Sequence, residues 1–325
     1  MNSEALFTIQ TPEAFEAAAL RVFRFQYRHN SLYRDFCNYL HRTPDRVKNT
    51  GQIPFLPVEF FKTHTVITGA GAAEAVFTSS GTTGSRPGKH YVTDVSVYRK
   101  SFRSTFRYFY GDIKDDTLLA LLPSYLEREG SSLIYMVNDL IKRSGQPGSG
   151  FYLNDITELT AQLTKLDEQG GRVWLIGVSF ALLDLIEKHR FSLENTIVME
   201  TGGMKGRRKE MVREELHRRL CEGFGVSAIH SEYGMTELLS QAYSHGDGLF
   251  KCPPWMKVLI RETEDPLQWQ SYGKTGGISV IDLANLYSCA FIATRDLGRV
   301  YADGSFEVLG RYDHADIRGC NLMVL

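Results

Sequence analysis

Between residues 95 and 233, segments with helical periodicity alternate with short apolar runs. The helical segments are VSVYRKSFRSTFRYFY, SSLIYMVNDLIKR, ITELTAQLTKLDEQ, SFALLDLIEKH and RKEMVREELHRRL. The apolar runs are TLLALLP, RVWLIG, TIVMET and VSAIHSEY. Helices that alternate with strands in this way predict an α/β fold in which helices flank a β-sheet.

The segments on either side of this region follow different patterns. A helical stretch runs from Thr11 to about Asn49, IPFLPVEFFKTHTV is predicted to be extended because of its prolines, and AEAVFTSS is predicted to be a short strand. From about Leu249 onward, strand-like pieces predict a mixed or barrel-like β lobe. These pieces are MKVLIRE, GGISVIDL, CAFIATRD, GRVYAD and SFEVLGRYD. We therefore predict two units, residues 1–248 for the α/β core with its helical start and residues 249–325 for the β-rich lobe.

The amino-acid composition limits which classes of protein this chain can belong to. A chain of 325 residues can bury a substantial core, and its 37 basic and 38 acidic residues nearly cancel, so nucleic acid is not the expected partner. No leader pattern and no apolar run of roughly 18 residues occurs, which predicts a cytoplasmic protein without a membrane span. The five cysteines are scattered and form no CxxC pair, so we expect reduced thiols rather than disulfides or a zinc site.

A loop rich in small hydroxyl residues follows the strand AEAVFTSS. Its candidate phosphate-binding residues are Ser79, Ser80, Gly81, Thr82, Thr83, Gly84 and Lys89. Backbone N–H groups, hydroxyls and a cation are the groups that bind phosphate in such loops. The spacing differs from the Walker pattern, because Thr83 stands where that pattern needs a glycine and His90 follows Gly88-Lys89. A flexible surface turn is the alternative for this loop taken alone.

SSGTTG, with a proline and a lysine behind it, resembles the phosphate-binding loop of the acyl-adenylate-forming superfamily, which includes acyl-CoA synthetases, adenylation domains and luciferases. Four further segments resemble motifs of that family and occur in the family's order. They are METGGMKG, HSEYGMTE, TRDLGRV and the hinge-like GRYDHADIRG. The set of motifs in this order is far more specific than any one of them.

The resemblance implies a role for residues in each motif. These roles are adenine binding for Gly202, Gly203, Tyr233 and Gly234, phosphate and Mg²⁺ binding for Thr236 and Glu237, ribose binding for Asp296, and phosphate contact for Arg311. Glu237 is the implied metal ligand. Arg295 departs from the family pattern, which usually has glycine before the ribose-binding aspartate.

Within the superfamily, the sequence most resembles the acyl-protein synthetases of the LuxE type, from about Ile53 to Cys320. IPFLPVEFFK, SSGTTGSRPGKH, ETGGMKGRRKE, EYGMTE and DIRGCNLM carry this resemblance. In that family an acyl-adenylate forms and the acyl group passes to a cysteine near the C-terminus, the place of Cys320. The superfamily's C-terminal lid domain, which delivers a catalytic lysine, is expected to be absent because the chain stops at Leu325. Lys205 is the candidate catalytic residue in place of that lysine.

The resemblance implies an enzyme that uses ATP and Mg²⁺ to activate a carboxylic acid, with a fatty acid as the expected substrate, and transfers the acyl group to a protein cysteine. An acyl reductase or another acyl-acceptor protein is the expected partner. One alternative is a phenylacetate-type acyl-CoA ligase without the lid, in which CoA takes the acyl group and Cys320 has no role. The other is a non-catalytic nucleotide-binding or scaffold subunit of an acyl-reductase complex.

Overall fold

The computed structural model describes residues 3–79, 86–123, 130–202 and 211–311. Within these ranges the helices are α1 (Pro12–His29), α2 (Ser31–Tyr39), α3 (Phe60–Thr63), α4 (Val95–Tyr110), α5 (Ser132–Ser144), α6 (Ile156–Glu168), α7 (Ser179–Lys188) and α8 (Arg213–Phe224). The strands are β1 (Leu56–Pro57), β2 (Ala75–Thr78), β3 (Lys89–Val92), β4 (Thr117–Leu121), β5 (Gly150–Phe151), β6 (Val173–Val178), β7 (Thr196–Thr201), β8 (His230–Tyr233), β9 (Ala242–Ser244), β10 (Met256–Arg261), β11 (Gly276–Asp282), β12 (Phe291–Val300) and β13 (Phe306–Arg311). This order confirms the predicted α/β class.

The main sheet has the strand order β5-β4-β6-β7-β8-β9. Strands β4 to β8 pair in parallel, and β9 adds an antiparallel strand at one edge. Every residue of β4 and β6 is buried, as expected for central strands that helices cover on both faces. Helices α5, α6 and α7 pack on these strands, so the alternating pattern of the sequence predicted this layer correctly.

A second sheet has the order β1-β12-β11-β10, and β13 also pairs with β12. Helix α1 packs against this sheet, with the Phe23 and Phe291 rings 6.3 Å apart. The helix begins as predicted at Thr11, whose side chain accepts a hydrogen bond from Ala14 N, with a proline in its first turn. The boundary between units near residue 248 stays a prediction.

Strand β12 corrects the reading of CAFIATRD and GRVYAD as separate strands. The two pieces form one strand of ten residues. Gly298 suggested a break, but it is buried within the strand, where a Cβ would collide with the Glu307 carbonyl oxygen of β13. Glycine therefore permits close approach of the neighbouring strand here rather than ending the strand. Asp296 consequently lies within a sheet and not on a surface turn.

The segment IPFLPVEFFKTHTV was predicted to be extended throughout, and this is only partly correct. Leu56 and Pro57 do form β1, which pairs in parallel with β12. The chain then turns into the single helical turn α3, because the proline ends the strand and Phe61 N bonds back to Val58 O at 3.1 Å. Phe61 is buried by this turn, so tertiary packing decides the local conformation.

Strands β2 and β3 form a two-stranded hairpin of their own, in which Thr78 pairs with Lys89. The sequence predicted β2 but missed β3, whose four residues are too few for a clear alternation. Thr78 N donates to Gly130 O at 2.7 Å, which places the hairpin beside the segment that follows β4. The hairpin thus brings the two ends of the predicted phosphate loop together at this end of the main sheet.

Candidate functional site

Three of the predicted adenine-binding residues, Gly202, Tyr233 and Gly234, lie at one edge of the main sheet. Val178 pairs with Thr201, and Thr201 pairs with Glu232, so β6, β7 and β8 end side by side. Gly202 and Gly234 are the first residues beyond two of these ends. In α/β sheets, ligands bind beyond the carboxyl ends of the parallel strands, which makes this edge the candidate site.

Ser79, Gly88 and Glu237 meet at this edge. Gly88 N donates to Ser79 Oγ at 2.8 Å, and Ser79 N donates to Gly88 O at 3.0 Å, which closes the base of the predicted phosphate loop. A Cβ placed on Gly88 would lie 2.5 Å from Glu237 Oε1 and 3.3 Å from Ser79 Oγ. The bare glycine therefore lets a hydroxyl and a carboxylate approach each other. Lys89 is exposed at the start of β3.

Glu237 is a buried acid in this cluster, with 6% of its surface exposed. Burial raises its pKa, and the Asp296 carboxylate adds to that effect, whereas the positive charges of Arg311 and Lys62 oppose it. A carboxylate withdrawn from water in this way is stabilised by a bound cation. Carboxylate and hydroxyl oxygens of the kind that Glu237 and Ser79 offer are the ligands that Mg²⁺ prefers.

Asp296 is the second buried acid. Tyr233 Oη donates to Asp296 Oδ2 at 2.8 Å, and Arg311 Nε lies 3.7 Å from Asp296 Oδ1 on the paired strand β13. Burial raises the pKa of Asp296, and the Tyr233 hydrogen bond and Arg311 oppose this. The Tyr233 ring packs edge-on against Phe306, with centroids 5.6 Å apart. Tyr233 and Asp296, both predicted to bind the nucleotide, are thus joined directly by a hydrogen bond.

Gly202 begins the predicted adenine turn. It is exposed and has a φ of 66°, a left-handed conformation that glycine adopts without a steric penalty. Ser179 Oγ lies 2.6 Å from Gly202 O and 3.0 Å from Glu200 Oε2, and Arg213 pairs with Glu200 on its other side. This network fixes the start of the turn. Gly234 is exposed, and a side chain there would collide with the carboxylate of Glu232.

Three residues that the sequence analysis missed hold the segment that carries Glu237. Asn285 Nδ2 donates to Glu237 O at 2.7 Å, and the His90 Nδ1 atom lies 2.9 Å from Thr236 O. The fully buried Asp282 carboxylate accepts from the backbone N–H groups of the two residues after Leu238, at 2.8 and 2.9 Å. These partners lie 42 to 146 positions away in the chain, so no local pattern could have revealed them.

Burial lowers the pKa of His90 to about 4, so its ring is neutral near pH 7. His230 also has a pKa lowered by burial to about 4, with a further lowering by His245, but it lies at the amino end of β8. Its ring stacks on His245 at 5.2 Å and its Nδ1 lies 3.2 Å from Tyr110 Oη. His230 therefore belongs to a separate aromatic cluster, at the end of β8 opposite Tyr233.

Several predicted site residues lie outside the described ranges. These are Ser80, Gly81, Thr82, Thr83, Gly84, Gly203, Lys205 and Cys320. Within the described ranges, no three His, Cys, Asp or Glu side chains form a cluster that could hold a metal ion by themselves. In the same part of the chain, no helix has the length and apolar character needed to cross a bilayer.

Residues 5–108 match the family model described as acyl-protein synthetase, LuxE. The match runs from the residues before α1 into α4 and includes the hairpin β2–β3. Over this part of the chain it confirms the resemblance found in the sequence. No curated protein sequence matches the chain.

Solved structures of ligases share the fold. ATP-bound MatB from Rhodopseudomonas palustris is 19% identical with a TM-score of 0.56, and the alignment covers 74% of this chain and 49% of MatB. An open conformation of 2-hydroxyisobutyryl-CoA ligase, in complex with 2-HIB-AMP and CoA, is 14% identical with a TM-score of 0.70, covering 93% of this chain and 75% of the ligase. The chain thus has the fold of these adenylate-forming ligases and spans about half the length of MatB.

We expect the substitution Tyr233→Phe to lower the free energy of unfolding by about 1–3 kcal/mol, because it leaves the buried Asp296 carboxylate without its hydroxyl donor. Urea denaturation measures the change. Tyr39→Phe is the matched control, since Tyr39 is 86% exposed and should shift stability by less than about 0.5 kcal/mol. Equal stabilities of the two variants would show that the Tyr233–Asp296 hydrogen bond contributes nothing.

Proposed function

We propose that this protein uses ATP to convert a carboxylic acid into an acyl-adenylate, with release of pyrophosphate. The observation that carries the proposal is that two buried carboxylates, Glu237 and Asp296, lie at the carboxyl edge of the main sheet. Glu237 lies beside the base of the Ser/Thr/Gly loop. The related folds of ATP-bound MatB and of the ligase with 2-HIB-AMP support it.

Asp296 is suited to the ribose of the nucleotide. A carboxylate has two oxygens with several acceptor positions, so it can accept hydrogen bonds from both ribose hydroxyls while it keeps that of Tyr233. Arg311, opposite Asp296 on β13, would contact phosphate. Gly202 and Gly234 leave the backbone accessible at the strand ends, as a flat adenine ring beside Tyr233 requires.

Glu237 is suited to hold Mg²⁺, and Ser79, Thr236 and Lys89 to hold the phosphates. Mg²⁺ usually takes one or two carboxylates from the protein and its remaining ligands from phosphate and water, so one buried acid is sufficient. When bound, the ion would neutralise negative charge on the phosphates. The hydroxyl of Ser79 and the exposed cation of Lys89 lie at the two ends of the loop that would enclose them.

The reaction requires little covalent participation from the protein. An oxygen of the substrate carboxylate forms a bond to the α-phosphorus of ATP, and the bond from that phosphorus to the pyrophosphate oxygen breaks. Side chains that hold both reactants in line and stabilise the developing charge supply the acceleration. We assign Lys205 to this second task because of its charge and its place two residues after Gly203.

We further propose that Cys320 accepts the acyl group. Its thiol would lose a proton to solvent, the sulfur would bond to the acyl carbon, and AMP would leave. The four cysteines of the described ranges are poor candidates, because burial raises the pKa of each thiol, for Cys37 to about 12. The match of residues 5–108 to acyl-protein synthetases supports a protein thiol as acceptor.

The remaining features of the proposal follow from the same resemblance. They are a fatty acid as substrate and a partner acyl reductase that takes the acyl group. Helix α7, which resembles the acyl-facing helix of the superfamily, buries Leu182 and Leu183 in the core and leaves Phe180 partly exposed.

Exchange of labelled pyrophosphate into ATP tests the activation step. In the presence of Mg²⁺ and a panel of acids from short aromatic to long fatty acids, we expect exchange that depends on the acid. Glu237→Gln should lower it by about 100-fold or more, since it removes the proposed metal ligand.

Glu222→Gln is the matched control for this exchange assay, because Glu222 is exposed on α8 and forms an ion pair with Arg218 of the same helix. It should leave the rate unchanged. Absence of exchange with every acid, from a wild-type protein shown to be folded, would contradict the proposed activation, as would a fully active Glu237→Gln variant.

Mass spectrometry after incubation with ATP and the active acid tests the acceptor. The wild-type protein should gain one acyl group in a thioester that neutral hydroxylamine removes, and Cys320→Ser should lose this group but keep pyrophosphate exchange. Cys221→Ser, at a half-buried cysteine of α8, should behave as the wild type. A thioester that persists in Cys320→Ser would contradict the assignment. Formation of acyl-CoA by that variant, when CoA is supplied, would favour the CoA ligase.

A further inference from the structure

We propose that His90 is the positioning residue that aligns the phosphate-binding hairpin with the segment carrying Glu237. The inference rests on the proposed function, in which both elements hold ATP and Mg²⁺. It assigns a role to the imidazole that no motif of the sequence indicated.

The hairpin needs such a residue because, among the residues that the structure describes, no neighbouring strand extends it. It is a two-stranded sheet, and an isolated pair of strands is only marginally stable by itself. Ser79 and Lys89 lie at its ends, whereas Glu237 follows the last parallel strand of the main sheet. The distance between these phosphate-binding groups therefore depends on side-chain contacts between the hairpin and the 236–237 segment.

His90 makes one of those contacts directly. It follows Lys89 in β3, its ring is fully buried, and Nδ1 lies 2.9 Å from Thr236 O. A carbonyl oxygen only accepts, so the hydrogen must be on Nδ1 and the imidazole donates. The hydrogen bond ends one residue before Glu237, which is already held from the other side by Asn285.

A second contact links the His90 ring to β12, the strand that carries Asp296. Phe61 of α3 packs perpendicular to the imidazole, with centroids 5.6 Å apart and an interplanar angle of 89°. The segment that leads into α3 is in turn joined to β12, through Val58 N to Ala293 O at 2.9 Å and through the ion pair of Glu59 with Arg295. Arg295 precedes Asp296, so Phe61 and the segment before it connect the imidazole to the strand that carries Asp296.

The second nitrogen of the ring argues against a purely stabilising role. His90 Nε2 is buried and has no hydrogen-bond partner in the described part of the chain. Such a buried atom costs folding free energy. The imidazole therefore has one nitrogen that lowers stability and one, Nδ1, that holds the Thr236 carbonyl.

The pair His90→Asn and His90→Gln tests the proposal. The amide nitrogen of asparagine can take the place of Nδ1, whereas that of glutamine takes the place of Nε2 and cannot donate to Thr236 O. We expect Gln to lower kcat/KM for Mg-ATP in pyrophosphate exchange by about 10- to 100-fold and Asn to retain activity within about threefold, because small misplacements of reacting groups have large kinetic effects. Tm is measured for each variant.

His230→Asn is the matched control, since it changes a partly buried histidine with a similarly lowered pKa, in the separate aromatic cluster. It should lower Tm without lowering kcat/KM. The proposal is overturned if His90→Gln is as active as the wild type, if Asn and Gln reduce activity equally, or if the losses follow Tm across all three variants.

Calorimetric titration with ATP, with and without Mg²⁺, separates this inference from the proposed function. If the wild type binds Mg-ATP but shows no exchange, the activation proposal fails, and His90 is still tested by affinity. We then expect Mg²⁺ to strengthen ATP binding in the wild type and in His90→Asn and to do so less in His90→Gln. Equal Mg²⁺ effects in the two variants, or no binding of ATP by the wild type, would overturn the inference.

Discussion

The buried carboxylate of Asp282 joins the two large sheets at the candidate site. It lies at the end of β11 in the second sheet and accepts hydrogen bonds from Leu239 N, Ser240 N and Ser240 Oγ, which follow β8 of the main sheet. A buried charge is costly unless it is well hydrogen-bonded, and these donors satisfy it. Because they surround one carboxylate, the segment between Glu237 and Ser240 has a single favourable position.

The position of that segment determines the electrostatics of the site. Glu237 follows β8 of the main sheet and Asp296 lies on β12 of the second sheet. The Asp296 carboxylate nevertheless raises the pKa of Glu237, and the positive charge of Arg311 lowers the pKa of both acids. Two acids held apart from water before a ligand arrives form a preorganised environment for a cation and for hydroxyl donors. The burial of these two acids costs folding free energy, which is the cost expected of the proposed nucleotide site.

The sequence predicted those parts of the fold that depend on local periodicity. The alternation between residues 95 and 233 gave the helices and strands of the main sheet, since 3.6-residue and two-residue periods are visible within one element. The short strands β3, β5 and β9 escaped prediction because they contain two to four residues each and depend for their stability on pairing with other strands. Gly298 suggested a break in β12. The close approach of β13 that requires this glycine is a tertiary contact, which the local sequence does not show.

In the candidate site, too, the sequence predicted some residues and missed those that depend on tertiary contacts. Glu237, Tyr233 and Asp296 were found because they stand in motifs that resemble a known family, and the structure places all three at one edge. The contacts that hold them were not found, because Asp282, Asn285 and His90 act across 42 to 146 positions. Asp282 and Asn285 stand in no motif, and His90 ends the segment SSGTTGSRPGKH, which does not indicate its partner. Side chains that bind ligands follow patterns in the sequence, whereas the side chains that orient them are determined by the packing of the whole chain.

A crystal structure of the protein with ATP and Mg²⁺ tests the central claim most directly, namely that this edge binds the nucleotide through two buried acids. The claim predicts the ribose hydroxyls on Asp296, the adenine between Gly202 and Tyr233, and the metal ion on Glu237. A nucleotide bound elsewhere on the molecule, or one whose ribose and metal ion avoid these two carboxylates, would contradict it.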